Sequence, residues 1–293
     1  MELTIEKIDI SDMDYDRFVK EYLIPEKPVV ITGLNGYNKE VITPQYVSKQ
    51  FQNEENRSIG WYDAPMPSPD EDIYVPDMIR KLFERDDMSA RALPMRIFLQ
   101  PKGQQTLFHY DGNSLHVFNL QIKGRKIWRI ISPQTPIASA PFLIASLVPK
   151  DFKIDYNKHD ACELELLEGE MLFLPRYWIH DVGARDEVNV NYNWVLTPTF
   201  PSMDSAVGKR EVELLKLRKK IPLIDSLMVD NYGEYGGAGE ELVNNYIKDV
   251  GIISVVIRFF KEVILFPKAF FLMKEIKSMA ADFEKNNFNM KGM

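Results

Sequence analysis

The sequence predicts a mainly β fold, a double-sheet jelly roll, with short helices before it and a helical tail after it. Three observations lead there. Between residues 95 and 196 the β-branched and aromatic residues gather in short runs, MRIFLQ, LHVFNLQI, KIWRIIS and EVNVNYNWVL. Glycines at 103, 112, 124 and 169 punctuate those runs as turns do. After Pro201 the strand pattern stops and apolar residues recur every three or four positions. Many short antiparallel strands joined by turns fit two packed sheets better than any helical class.

Taken in order, residues 11–24 read as a first helix capped by Ser11 or Asp12 and ended by Pro25. KPVVITGL, 27–34, reads as a strand closed by Gly33, and 44–52 as a short helix opening on Pro44. Residues 63–76, rich in proline and acid, read as surface loop, and Asp77 as the cap of a helix through Phe83. Residues 134–160 read as a long insertion with a short helix, and 162–182 as two strands around a turn at Glu168 and Gly169. EVNVNYNWVL alternates strictly, so Asn189, Asn191 and Asn193 share one face, which must line something polar. In the tail, residues 204–220 read as a helix, and Leu242 to Ile264 and Ala269 to Phe283 form apolar helical stripes. The expected units are therefore 1–200, a β domain with its N-terminal extension, and 201–293, a helical region.

The chain of 293 residues carries a net charge of −7 and a pI near 5.3. That balance argues against bulk nucleic-acid binding, and KLRKK at 216–220 reads as a solvated helix face. The lone Cys162 excludes an internal disulfide framework. The N-terminus has no signal-like apolar core, and Arg258, Lys261, Glu262 and Lys268 interrupt the longest apolar stretch. A cytoplasmic protein without a transmembrane segment is expected.

The chemistry centres on TLFHYDGNSLHVFNLQIKGRK, residues 106–126. His109 and Asp111 are two apart, so a strand sets both on one face. His180, in FLPRYWIH, offers a third ligand. Two imidazoles and one carboxylate on one side of an ion leave its other side open, the pattern of non-haem Fe(II) oxygenases. An HxD triplet alone is a weak signal, and Lys126 or Thr106 read singly are ordinary strand residues. Trp128, Trp178 and Trp194 read as core, His116 as a packed histidine and His159 as solvated; Cys162 has no base nearby in sequence.

Agreement among features strengthens the pattern. Thr106 precedes His109 by three, while Asn119 follows by ten and Lys126 by seventeen. From FVKEYLIPEKPVVITGL, through MRIFLQPKGQQTLFHYD, to VNYNW, residues 15–200 resemble the JmjC-type, cupin-fold family of Fe(II)- and 2-oxoglutarate-dependent oxygenases. The resemblance implies that His109, Asp111 and His180 bind iron. It implies that Lys126 and Thr106 hold the far carboxylate of 2-oxoglutarate, that Asn119 lies near this co-substrate, and that Asn191 or Asn193 supplies a polar position on the last strand. O2 is the implied oxidant, and a protein, peptide or small-molecule side group the implied target, with release of succinate and CO2. The alternatives are a metal cupin that needs no 2-oxo acid, such as an isomerase, and a non-catalytic interaction protein. The tail stripes suggest homodimerisation through 204–285, with a cover over the chain's own barrel as the alternative and a membrane-surface helix as the third reading.

Overall fold

The computed structural model describes residues 3–38, 43, 46–47, 60–68, 73–106, 108–111, 115–135, 140–142, 145–147 and 152–199. Of the expected helix at 44–52 only residues 46–47 are described, and they are helical; the expected tail helices and the expected unit 201–293 lie outside the described residues.

The described residues form two sheets. β1 (Glu6–Asp9) and β2 (Val29–Thr32) flank a short helical segment, α1 (Tyr15–Phe18), which continues as one wide turn through Val19–Leu23. β3 (Gly60–Ala64), α2 (Asp77–Phe83) and the long β4 (Met88–Gln100) follow. Then come β5 (His109–Asp111), β6 (His116–Lys123), β7 (Lys126–Ile131), β8 (Ala140–Phe142), β9 (Ala145–Leu147), β10 (Ala161–Leu166), β11 (Met171–Leu174), β12 (Ile179–Ala184) and β13 (Asn189–Pro198). One sheet has the order β1-β2-β11-β6-β13-β4-β3 and the other β10-β7-β12-β5-β9-β8. From β4 to β7, and again from β10 to β13, successive strands alternate between the sheets or turn back within one. Packed side chains set β7, β10 and β12 of the second sheet against β2, β6 and β11 of the first, and Lys126 of β7 reaches Gln100 of β4 and Asn191 of β13.

Period-two patterning divides the core. On the outer face of the first sheet, Phe18, Leu23, Ile79 and Leu82 from the helices pack on Ile31, Ile97, Phe118, Phe173 and Trp194. Between the sheets, Val30, Val117, Leu172 and Leu174 meet Trp128, Ile130, Leu166 and Val182. A third cluster of Phe108, Tyr110, Ile131, Tyr177 and Ile179 covers the far face of the second sheet. Phe18, Phe118 and Phe173 of the first cluster are fully buried, and such side chains each contribute about 1.5–3 kcal/mol on burial.

Several local expectations are corrected. The first helix is broken into a tight turn at Ile10–Asp12 and α1, and its cap is Asp14, whose carboxylate accepts from Arg17 N at 2.7 Å; Ser11 and Asp12 do not cap it. Asp77 is the first residue of α2, and Pro76 precedes it with no side-chain cap. Gly60–Ala64 is a strand, so the acidic, proline-rich loop starts later than its composition suggests. Pro175 divides the 162–182 segment, which holds three strands, β10, β11 and β12. In the 134–160 insertion, the described residues form a hairpin of β8 and β9, and no helix. β9 pairs along β5, His109 with Leu147 and Asp111 with Ala145, so the strand bearing both expected ligands is tied on both edges.

Candidate metal centre

The antiparallel register sets His180 of β12 directly opposite His109 of β5. Directly opposed residues share a face, and Asp111, two positions on, shares it too. The two imidazole rings stand 4.4 Å apart, centroid to centroid. His109 Nε2 lies 3.9 Å from Asp111 Oδ1 and His180 Nε2 lies 3.9 Å from Asp111 Oδ2. One ligand atom from each of the three falls within 4.8 Å of the others, and no other histidine, cysteine or acid cluster of this kind occurs among the described residues. Donors that bind one ion at about 2.0–2.2 Å must lie close to this spacing. The set of two imidazoles and one carboxylate fits a divalent transition metal such as iron. The histidines are buried and Asp111 is half-buried, at 31% side-chain exposure, so the centre opens on the aspartate side.

The protonation state of His180 follows from one bond. Its Nδ1 lies 3.0 Å from the carbonyl oxygen of Trp178. A carbonyl can only accept, so Nδ1 carries the proton and Nε2 is the bare, metal-directed nitrogen. Burial, and secondarily the neighbouring His109, hold the His180 pKa down at about 4, so the ring is neutral near pH 7. Trp128 lies against it with ring centroids 5.4 Å apart.

Lys126 opens β7 and points between the sheets, fully buried. Its ammonium donates to the side-chain carbonyls of Gln100 and Asn191, and lies over the Phe98 ring at 5.5 Å. Among the described residues no carboxylate pairs with it, and burial lowers its pKa to about 7. An unpaired buried cation is costly. A polar cradle around a lone ammonium therefore fits an incoming carboxylate, such as the distal one of a 2-oxo diacid.

Asn119, Asn191 and Asn193 form one amide chain. Asn119 Nδ2 and Asn191 Nδ2 both donate to Asn193 Oδ1, the latter at 3.0 Å. Asn119 sits opposite Asn193 across β6 and β13, and its own Oδ1 is buried without a partner. A shift of register between Val190 and Asn191 falls beside the Lys126 contact, where such a bulge re-aims a side chain. Thus Asn191 touches the lysine, and Asn193 lies behind it as the acceptor for the Asn191 amide. Asn189, on the same face, instead donates to backbone carbonyls of Gln100 and Asp186. Thr106 lies beside Val182; its hydroxyl oxygen accepts from Val182 N at 2.8 Å, which leaves the hydroxyl proton to donate.

Of the histidines set aside, His116 is fully buried and accepts from Arg176 N. His159 is half-buried rather than solvated: it accepts from Asp155 N at 3.0 Å and stacks on Phe152. Trp128, Trp178 and Trp194 are buried, and so is Cys162. Sequence reasoning missed Gln100, the second acceptor for Lys126, because a glutamine at a strand end carries no distinguishing signal. It also missed the half-buried Arg129–Asp181 ion pair on the outer side of β12.

Residues 79–199 match the JmjC domain family. The chain is similar to "2-oxoglutarate and iron-dependent oxygenase JMJD4" of Gallus gallus, 24% identical over 209 residues, 62% of this chain and 49% of that protein. It is 39% identical over 85 residues to "Ribosomal oxygenase 2" of Rattus norvegicus, 29% of this chain and 16% of that protein. It is 30% identical over 94 residues to "Ribosomal oxygenase 1" of Homo sapiens, 32% of this chain and 14% of that protein. The chain thus spans at most about half the length of these relatives.

Proposed function

We propose, from the premise that residues 79–199 are a JmjC domain, that the chain is an Fe(II)- and 2-oxoglutarate-dependent dioxygenase that hydroxylates a protein side chain. The observation that carries this is the closure of His109, Asp111 and His180 on one point between the same two sheets that enclose Lys126. The strand order supports the narrower label of a double-stranded β-helix, or cupin barrel.

His109, Asp111 and His180 would hold the iron. Lys126, with Gln100 and Asn191 fixing its ammonium, would take the far carboxylate of 2-oxoglutarate, and Thr106 would donate its hydroxyl proton there. When bound, iron and 2-oxoglutarate supply the oxygen chemistry: O2 is consumed, the co-substrate leaves as succinate and CO2, and one oxygen enters a C–H bond of the target. The chain's own part is orientation and exclusion of water. Trp128 walls the His180 ring, and Asn119 and Asn193 hold Asn191 toward the lysine.

A protein target is supported by the names of the similar proteins. The net charge of −7 favours a basic partner over nucleic acid. The proposal includes a cytoplasmic location, for which the single cysteine speaks, and a homodimer through the apolar stripes of 204–285; a sizing-column mass equal to one chain would overturn the dimer.

The experiment has two parts. Fe(II)-loaded protein with 2-oxoglutarate and O2 should release succinate, and Asp111→Ala should abolish that release. Under anaerobic conditions, 2-oxoglutarate should perturb the visible spectrum of the Fe(II) protein. An unchanged spectrum would favour a cupin that needs no 2-oxo acid, and normal turnover by the alanine variant would sink the ligand assignment.

A further inference from the structure

Among the described residues, only two non-glycine residues have positive φ, Glu26 at 55° and Tyr177 at 69°. Left-handed backbone is unfavourable for a residue with a Cβ and persists only where neighbouring contacts enforce it. The two lie far apart in sequence, yet they meet at one ion pair: Glu26 is its acid, and Tyr177 follows its base, Arg176.

The backbone brings the pair together. β2 and β11 are antiparallel, with Val29 opposite Phe173. Glu26 stands three residues before Val29 and Arg176 three after Phe173, so the same register carried past the strand ends sets acid against base. Arg176 Nε donates to Glu26 Oε1 at 2.6 Å and Nη2 lies 2.5 Å from the same oxygen; the arginine side chain is 2% exposed and the glutamate 18%. The Arg176 backbone N–H donates to Nδ1 of the buried His116 at 3.2 Å. The Tyr177 ring packs edge-on against Tyr110, centroids 5.8 Å apart, and Tyr110 is the residue between His109 and Asp111. The turn at 175–178 is thus pinned from three sides, and its last carbonyl, Trp178 O, is the acceptor for His180 Nδ1.

We infer that the Glu26–Arg176 ion pair is a positioning clamp for His180: it holds the turn at 175–178 in its left-handed conformation and so aims the Trp178 carbonyl that fixes the His180 ring. The geometry stands without any metal; its purpose rests on the function proposed above. A buried ion pair is a poor device for stability alone, since apolar residues of equal volume do as well. A rigid, directional bond in front of a metal ligand is what such a pair supplies instead.

The test uses the full chain and the variants Arg176→Met and Arg176→Met with Tyr177→Gly. In Arg176→Met the partner left behind, Glu26, reaches water. Nitrogen-15 NMR of the metal-free protein at fixed pH reads the His180 tautomer, and Co(II) titration reads metal affinity by the visible spectrum. Wild-type protein should show the Nδ1–H tautomer. Arg176→Met should show a mixture and bind Co(II) about 10- to 100-fold more weakly, with an altered spectrum. Adding Tyr177→Gly should restore affinity toward wild type, because glycine takes left-handed backbone without a clamp. A merely structural role predicts no such rescue. Should Arg176→Met not fold, Glu26→Gln carries the same readouts. A folded variant with the wild-type tautomer and Co(II) affinity within about twofold of wild type would overturn the clamp. If wild-type protein binds no Co(II), the proposed function falls, while the tautomer comparison still decides the clamp.

Discussion

The ammonium of Lys126 and the side-chain carbonyl of Asn191 are hydrogen-bonded across the space between the two sheets, although 65 positions separate them in sequence. Burial lowers the lysine pKa to about 7, so in the ligand-free protein its charge fades as pH rises through neutrality. A carboxylate can use only the charged form. Binding of 2-oxoglutarate, with Mn(II) in place of iron, should therefore weaken about tenfold per pH unit above about 7, with uptake of one proton. Calorimetry in buffers of different ionisation enthalpy measures that uptake; an affinity flat from pH 7 to 9 would contradict it. Lys126→Met should weaken the co-substrate by about 3–5 kcal/mol, more than 100-fold, and leave Mn(II) binding nearly unchanged.

The two asparagines on β13 should separate by readout. Asn191 touches Lys126, whereas Asn193 accepts from the amides of Asn119 and Asn191. Asn191→Ala should weaken 2-oxoglutarate binding about tenfold or more. Asn193→Ala leaves two buried donors unpaired and should cost about 1–3 kcal/mol of stability, with the smaller effect on affinity. Binding and melting curves on both variants check the contrast; a larger loss of affinity in Asn193→Ala would reverse the assignment.

Metal should stabilise the protein through the same three side chains. A ligand at 100 times its Kd adds about 2.7 kcal/mol to the native state, which for a domain of this size raises Tm by several degrees. Mn(II) should produce that rise, EDTA should remove it, and Asp111→Ala should show little of it. An equal rise in the alanine variant would mean that the ion binds elsewhere.

Much of the site was legible because strand periodicity is strict. His109 with Asp111, and Asn191 with Asn193, are pairs two apart whose shared face needs no tertiary information. The convergence of His180 and Lys126 on them was expected from family resemblance, since nothing local in FLPRYWIH or GRKIW fixes where those strands pack. Contacts between distant residues with ordinary neighbours stayed hidden: Gln100 with Lys126, and Glu26 with Arg176. The strand errors have local causes. Asp63 and Pro65 gave the end of the Gly60–Ala64 strand the look of a loop, and apolar residues on both sides of Pro175 and Arg176 hid the boundary between β11 and β12.

His116 should make the native state acid-sensitive. It is fully buried, and desolvation, with Arg176 adding repulsion, lowers its pKa to about 3. In the unfolded chain a histidine takes up its proton near pH 6.5. Between those values the unfolded state binds the extra proton and the native state does not. The contribution of His116 to stability is therefore complete above about pH 6.5 and is lost as pH falls from there toward 3. Over the window from pH 6.5 to 5, before most carboxylates titrate, the loss is about 2 kcal/mol. His116→Asn keeps an acceptor for Arg176 N and has no proton to gain. Urea unfolding of metal-free wild-type and variant protein across that window should give a stability slope shallower in the variant by about 1.1 kcal/mol per pH unit on average, nearing about 1.4 at the acid end. Parallel slopes would show that His116 is protonated in the native state as readily as in the unfolded one.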